Sequence, residues 1–262
     1  MLLRDKIQAK EKMTGTHMYL TDITSAKIIG LAGFDYVWID LEHSYKPVES
    51  VLQDIIALRN TDTAILVRVP QDDLTFTKKV LELGVDGIIF PMIRSAEQAN
   101  RLIASTLYPP YGNRGFGPMN VVDYGYKNAQ EYLDTTETNV CRFIQIEHID
   151  AVNDLDEIMK NKYIDGYIFG ANDLAGSINE PGNTLGENNI RIIKEVIAKL
   201  KANGKYVGLS IGETDCERLK FWSDMGIDMI SAGADYMYIQ QGAVQARKNL
   251  ESAHKFAKRE QK

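Results

Sequence analysis

Residues 141–171, CRFIQIEHIDAVNDLDEIMKNKYIDGYIFGA, decide how the chain folds. An apolar run, CRFIQI, is followed by AVNDLDEIMKN, whose apolar positions recur at three and four, and then by a second apolar run, YIFG. Strand, helix and strand in that order imply a parallel pair. The first run closes on Glu147, and a carboxylate at the tip of a core strand is costly unless it is solvated, paired or bound to a metal.

Outward from this unit the same alternation recurs. Eight β-rich runs follow one another: GTHMYLT, DYVWIDL, AILVRV, DGIIFPM, CRFIQIE, DGYIFGA, KYVGLSI and DMISAGA. Segments such as TFTKKVLELG, AEQANRLIAS, NIRIIKEVIAKLKANG and DCERLKFWSDMG separate them with helical spacing, often closed by Gly or Asn. The strands are apolar on both faces, as expected where helices cover the outside and side chains fill the inside. Eight βα repeats predict an α/β fold of the TIM (β/α)8 type. The alternative, an open doubly wound sheet, would place a G-x-G-x-x-G turn after an early strand, and none stands there.

The 262 residues, 44% hydrophobic, suffice for one such barrel, a fold that takes about 250 residues. We read 1–262 as a single domain, with 106–140 as a long loop and 236–262 as a C-terminal helical tail. Pro109, Pro110, Gly112, Gly115 and Gly117 mark the long connection as loop and turn, and it is expected to carry an interface or a lid. A net charge of −6 with scattered Lys and Arg argues against nucleic acid and for a small-molecule partner. MLLRDKIQAKEKM has neither a signal-peptide nor a membrane-span pattern, so a cytoplasmic protein without membrane contact is expected. Cys141 and Cys216 are too few for a zinc cage and are read as reduced.

In a barrel, chemistry sits where strands run out into the βα loops. The polar residues there are His17 and Asp22, Asp40, Glu42 and His43, Arg68, Glu147, Asn172 and Asp173, and Ser210. Glu147 and Asp173 end neighbouring strands, about 4.8 Å apart, and can share one cation. Oxygen ligands without thiols suit Mg²⁺ or Mn²⁺. Taken singly, each carboxylate also reads as solvated or as a helix cap, Asp173 before LAGS above all. Arg68 after AILV needs a carboxylate or an anionic ligand. Asp40 could orient the His43 imidazole for acid–base work, or cap the next helix beside a surface histidine. His148 is read as structural. No strand core carries a lysine for a Schiff base, and Lys205 starts its strand at the far face. Trp222 and DYMYIQQ suit an interface or ordinary packing.

The stretches GFDYVWIDLEHS, RVPQDDLTFTKKVLELGVDGIIFPM, LYPPYGNRG, IQIE and DGYIFGANDL, in this order from about Gly15 to Gly233, resemble the HpcH/HpaI aldolase family of metal-dependent (class II) pyruvate aldolases. The resemblance implies a TIM barrel assembled as a hexamer with an exchanged C-terminal helix. It also implies a divalent ion, Mg²⁺ or Mn²⁺ with Co²⁺ as a further option, on Glu147 and Asp173. Arg68 matches the arginine that holds the 2-oxo oxygen and stabilises the enolate. His43, backed by Asp40, matches the proton-transfer histidine. Glu82 falls where relatives carry an Asp near the subunit interface and is counted with the catalytic group. Gly170, Ala171 and Asn172 match the segment that receives the pyruvate carboxylate. His17 stands where relatives have a tryptophan lining the pocket, and GANDLAGS replaces G-P-x-D-L-S. The implied reaction is reversible cleavage of a 4-hydroxy-2-oxo acid to pyruvate and an aldehyde. The alternatives are a citryl- or malyl-CoA-type lyase and a non-catalytic binding barrel.

Overall fold

In the computed structural model the eight apolar runs are β1 (Met13–Met18), β2 (Tyr36–Asp40), β3 (Ala64–Arg68), β4 (Gly87–Phe90), β5 (Cys141–Ile146), β6 (Gly166–Gly170), β7 (Val207–Ile211) and β8 (Met229–Ala234). Each pairs in parallel with the one before, and β8 closes on β1. The predicted barrel is present. The structure describes residues 3–135, 137–138 and 140–259, with side chains to 254. Residues 136 and 139 of the long connection and 260–262 of the expected tail lie outside the described residues.

The helices in chain order are α1 (Leu3–Gln8), α2 (Ile23–Leu31), α3 (Val48–Leu58), α4 (Leu74–Glu82), α5 (Ala96–Ala104), α6 (Ala129–Asp134), α7 (Ile149–Asn153), α8 (Leu155–Ile158), α9 (Ala171–Ser177), α10 (Glu187–Ala202), α11 (Cys216–Asp224) and α12 (Asp235–Arg259). Side-chain oxygens fix several of their starts. Asp22, Asp73, Ser95 and Asp215 accept from first-turn amides of α2, α4, α5 and α11. Asp22 is therefore a cap, not a member of the mouth.

The strands alternate sides, which separates two cores. Val37, Ile39, Val67, Ile88, Ile144 and Leu209 face the helices. Tyr36, Trp38, Leu66, Ile89, Phe143, Ile168 and Met229 fill the barrel, and Leu3 and Ile7 of α1 plug its lower end. Large rings fit because their neighbours lack side chains: a Cβ on Gly15 would overlap the Tyr36 ring.

A fourfold device organises the lower end. An aspartate precedes each even strand, and each accepts from the first amides of the strand before it. Asp35 takes Thr14 N at 2.7 Å, Asp86 takes Ile65 N at 2.8 Å, Asp165 takes Arg142 N at 2.8 Å and Asp228 takes Val207 N at 2.8 Å. Buried amides at strand starts need such acceptors. Lys6 pairs with Asp35 at 2.7 Å and Arg4 with Asp165, tying α1 to the same ring.

The long connection belongs to this end too. It leaves α5 and enters β5 at its start, and Asn120 Nδ2 donates to Leu83 O at 2.9 Å. Arg142 Nε donates to Thr106 Oγ1 at 2.6 Å. A lid over this chain's mouth is thereby corrected, because the segment packs on the opposite end; an interface is the reading left. The expected tail is α12, which starts at the mouth, where Asp235 accepts from Tyr19 N and Leu20 N at about 3 Å. Trp222 is fully buried, so it is core packing.

Candidate active site

Inward-facing residues near the upper ends of the odd strands form one layer: His17 from β1, Arg68 from β3, Gln145 from β5 and Ser210 from β7. All four are polar, and all line a cavity of about 200 Å³. Trp38 lies beneath, its ring 5.3 Å from Arg68 Cζ and 5.4 Å from the His17 ring. Aromatic packing below and polar groups above fix the layer in place.

Arg68, 6% exposed, is held on several sides. Its Nη2 and Nε donate to the two Asp40 oxygens, and Nη1 reaches Glu42 Oε2 at 3.1 Å and Gln145 Oε1 at 3.3 Å. Burial opposes its charge, but Asp40, Glu42 and Glu147 outweigh that and raise its pKa. Burial likewise opposes the Asp40 charge, yet Arg68 and the amides of His43 and Glu42 hold its pKa below the ordinary carboxylate value. Glu42 is pushed upward, chiefly by burial.

The expected Asp40–His43 imidazole pair is not formed. Asp40 Oδ1 accepts from the backbone amides of Glu42 and His43 at 2.9 and 3.0 Å, as a turn-forming Asp does. The half-exposed imidazole instead has Glu42 as its carboxylate neighbour, Nε2 to Oε2 3.8 Å. Asp40 thus positions both Arg68 and the His43 backbone.

Glu147, 1% exposed, continues β5. Its Oε1 accepts from Met92 N at 2.6 Å and its Oε2 from Gln145 Nε2 at 2.7 Å. Met92 has φ 53°, a left-handed conformation that an unbranched residue adopts at a cost. Burial pushes the Glu147 carboxyl up to about 8; the Met92 amide opposes this, and the Asp173 charge adds to it. Asp173 lies in the first turn of α9, whose start at Gly170 has no side-chain cap, so the capping alternative for Asp173 is not realised. A Cβ on Gly170 would overlap Glu147 Oε2, so only glycine leaves the carboxylate its place.

These residues fit a hard divalent cation. Two carboxylates, Glu147 and Asp173, line one cavity, the first destabilised as an anion chiefly by burial and further by the charge of the second. No three His, Cys, Asp or Glu gather into a closed cage among the described residues. Two carboxylates with positions left for water and substrate suit Mg²⁺ or Mn²⁺.

His17, 4% exposed, bonds Gly233 O through Nδ1 at 2.7 Å and Ser210 Oγ through Nε2 at 2.8 Å. Burial lowers its pKa to about 4 against the pull of the Gly233 carbonyl, so the ring is neutral. Gly170, Ala171 and Asn172 line the cavity beside Asp173, and Asn172 Oδ1 accepts from the Thr184 hydroxyl. His148 caps α7.

Glu82 does not join this group. It ends α4, just ahead of β4, and so stands at the lower end, where it pairs with Arg114 of the long connection. As a member of one chain's mouth this reading is corrected: barrel helices run opposite to the strands, so a helix end lies at the strand starts.

Sequence reasoning placed Glu42 and Ser210 at the mouth without a role and did not single out Gln145, Tyr19 or Met92. Gln145 was reachable, since it precedes Glu147 by two and so shares its face. Met92 left no signal, because it contributes only its backbone.

The model of the HpcH/HpaI aldolase/citrate lyase family matches residues 14–240. The chain is 31% identical to the hydroxypyruvate/pyruvate aldolase of Roseobacter denitrificans over 225 residues, covering 86% of this chain and 87% of that one. It is 29% identical to the 5-keto-4-deoxy-D-glucarate aldolase of Citrobacter koseri over 230 residues, covering 87% and 88%. The crystal structure of an HpcH/HpaI aldolase from Desulfitobacterium hafniense superposes with a TM-score of 0.87 at 26% identity, covering 96% of this chain and 97% of that one. With the family model matching from β1 to β8, the chain belongs to the HpcH/HpaI aldolase/citrate lyase family and is a carbon–carbon lyase.

Proposed function

We propose that the protein cleaves a 4-hydroxy-2-oxo acid to pyruvate and an aldehyde, and runs the reverse addition, with a divalent cation as cofactor. The observation that carries this reading is the buried Glu147, fixed by Met92 N and Gln145 beside Asp173, with Arg68 in the same polar layer. The names of the relatives support a 2-oxo acid substrate.

Glu147 and Asp173 would hold the ion, which when bound supplies Lewis-acid polarisation of the substrate's 2-oxo group. The amides of Gly170, Ala171 and Asn172 receive the substrate carboxylate. His43, with Glu42 as its carboxylate neighbour, takes the proton of the 4-hydroxyl. The C3–C4 bond then breaks, its electron pair passing to the 2-oxo oxygen as the aldehyde carbonyl forms. Arg68, already immobilised by Asp40 and Glu42, stabilises that developing charge without reorganising, an effect worth about a hundredfold or more per donor. Return of a proton to C3 gives pyruvate.

Among the described residues Arg68 is the one guanidinium lining the cavity, and it is committed to Asp40 and Glu42, which favours a small 2-oxo acid over a coenzyme A thioester. Homo-oligomerisation is supported by Ile28, Leu31 and Ile239, exposed apolar residues on α2 and α12. No described helix is long and apolar enough to cross a membrane.

The test is pyruvate release, coupled to lactate dehydrogenase, from 4-hydroxy-2-oxo acids of varied tail. Release that EDTA abolishes and Mn²⁺ or Mg²⁺ restores is the expected result. Release indifferent to chelator would remove the metal role of Glu147; no release with any tail would remove the aldolase reading.

A further inference from the structure

The structure assigns a selector to the cavity wall at the tips of β7, β8 and β1, resting on the aldolase reading: we propose that His17, Ser210 and Tyr19 form an uncharged, acceptor-bearing wall that selects an aldehyde half carrying free hydroxyl groups and no second carboxylate.

The hydrogen bonds dictate the wall's polarity. A carbonyl oxygen only accepts, so the 2.7 Å contact to Gly233 O places the His17 proton on Nδ1. The buried neutral ring then has a lone pair on Nε2, and the Ser210 hydroxyl must donate to it across 2.8 Å. Its only hydrogen is thereby used, and Ser210 Oγ offers the cavity lone pairs alone. Tyr19 is uncharged for another reason. Burial, followed by the negative charge of Asp40, lifts its pKa above the ordinary phenol value, so the phenol stays neutral. Its ring is fixed between His17, at 6.2 Å, and Tyr236, at 5.5 Å. A substrate hydroxyl that donates finds an acceptor in Ser210 Oγ; a carboxylate, which can only accept, finds no donor there.

Charge points the same way. Asp40, Glu42, Glu147 and Asp173 stand at the mouth, and Arg68 is the one Lys or Arg lining the described cavity. Arg68 and a divalent ion together bring three positive charges against these four carboxylates. The substrate's own 2-oxo-acid carboxylate adds a further negative charge, so a second one at the aldehyde end meets net repulsion with no cation to receive it.

The experiment uses the Mg²⁺-loaded protein with pyruvate and three aldehydes of equal length: glyceraldehyde, propanal and tartronate semialdehyde. The expected result is a kcat/KM for glyceraldehyde about tenfold or more above both others, the size of one useful hydrogen bond. Ser210→Ala should shrink the glyceraldehyde-to-propanal ratio about tenfold. His17→Phe, which frees the Ser210 hydrogen to point at the cavity, should raise tartronate semialdehyde relative to glyceraldehyde. Tartronate semialdehyde matching or exceeding glyceraldehyde in the unaltered protein overturns the selector, as does a Ser210→Ala effect equal for glyceraldehyde and propanal. Deuterium exchange at the pyruvate methyl group in D₂O, without any aldehyde, separates the two failures. Exchange with the wrong aldehyde order sinks the selector alone; no exchange sinks the aldolase reading and the selector with it.

Discussion

The two ends of this barrel use the same fourfold repeat in opposite ways. At the lower end four identical residues, Asp35, Asp86, Asp165 and Asp228, do one identical job at the starts of the odd strands. At the upper end the same four strands present four different polar residues, His17, Arg68, Gln145 and Ser210, around one cavity. Sameness at one end satisfies backbone amides that every strand start has in common. Difference at the other supplies groups that a reaction needs once each. Repetition therefore marks the scaffold and divergence marks the chemistry.

Substitutions can break that contrast, and the largest effect is expected at Glu147. Glu147→Gln, or EDTA on the unaltered protein, should lower pyruvate release by ~10³-fold, about 4 kcal/mol of transition-state stabilisation. Retained activity would place the chemistry elsewhere.

Next comes a pH effect from His17. Its folded pKa of about 4 lies below the ordinary 6.5, so between these values the unfolded chain binds the proton and the native state does not. Native stability is full above about pH 6.5 and falls as pH drops toward 4, by on the order of 3 kcal/mol from this residue. Thermal unfolding across that window should show the slope, and His17→Gln should flatten it. An unchanged slope would mean that the ring is protonated or exposed.

Arg68→Lys follows, with kcat/KM down about a hundredfold, because a point charge cannot span Asp40, Glu42 and Gln145 at once. Its melting temperature should stay close to that of the parent, since the charge opposite Asp40 is kept. Asp86→Ala, at the other end, should reverse the pattern. Leaving Ile65 N without its acceptor costs about 2 kcal/mol of stability, while kcat of the folded protein holds. A large fall in kcat there would erase the distinction between the ends.

Much of this was legible in the chain. Alternating apolar runs and helical spacings define eight βα units, and a period of two places Arg68 and Glu147 at strand tips. The fourfold aspartate was visible in FDY, VDG, IDG and IDM, but its use was not. An aspartate before a strand serves equally as a turn former, and only strand neighbours reveal which amide it takes. Asp40 and His43 show the same limit: three residues apart, they suggested a side-chain pair, while the turn between them brought the His43 amide to Asp40 and sent the ring outward. Glu82 shows a further one, since a helical residue's height on the barrel follows from the direction of its helix.

The sequence alone determined the barrel, the strand tips and the types of group available there, because hydrophobic period and chain order are local properties. Tertiary structure decided the partners: Arg68 with Asp40 and Glu42, Glu147 with a backbone amide 55 residues away, and the His17 tautomer from a carbonyl 216 residues away. Hydrogen bonds and burial depend on what closure of the sheet brings together, and no local pattern carries that distance.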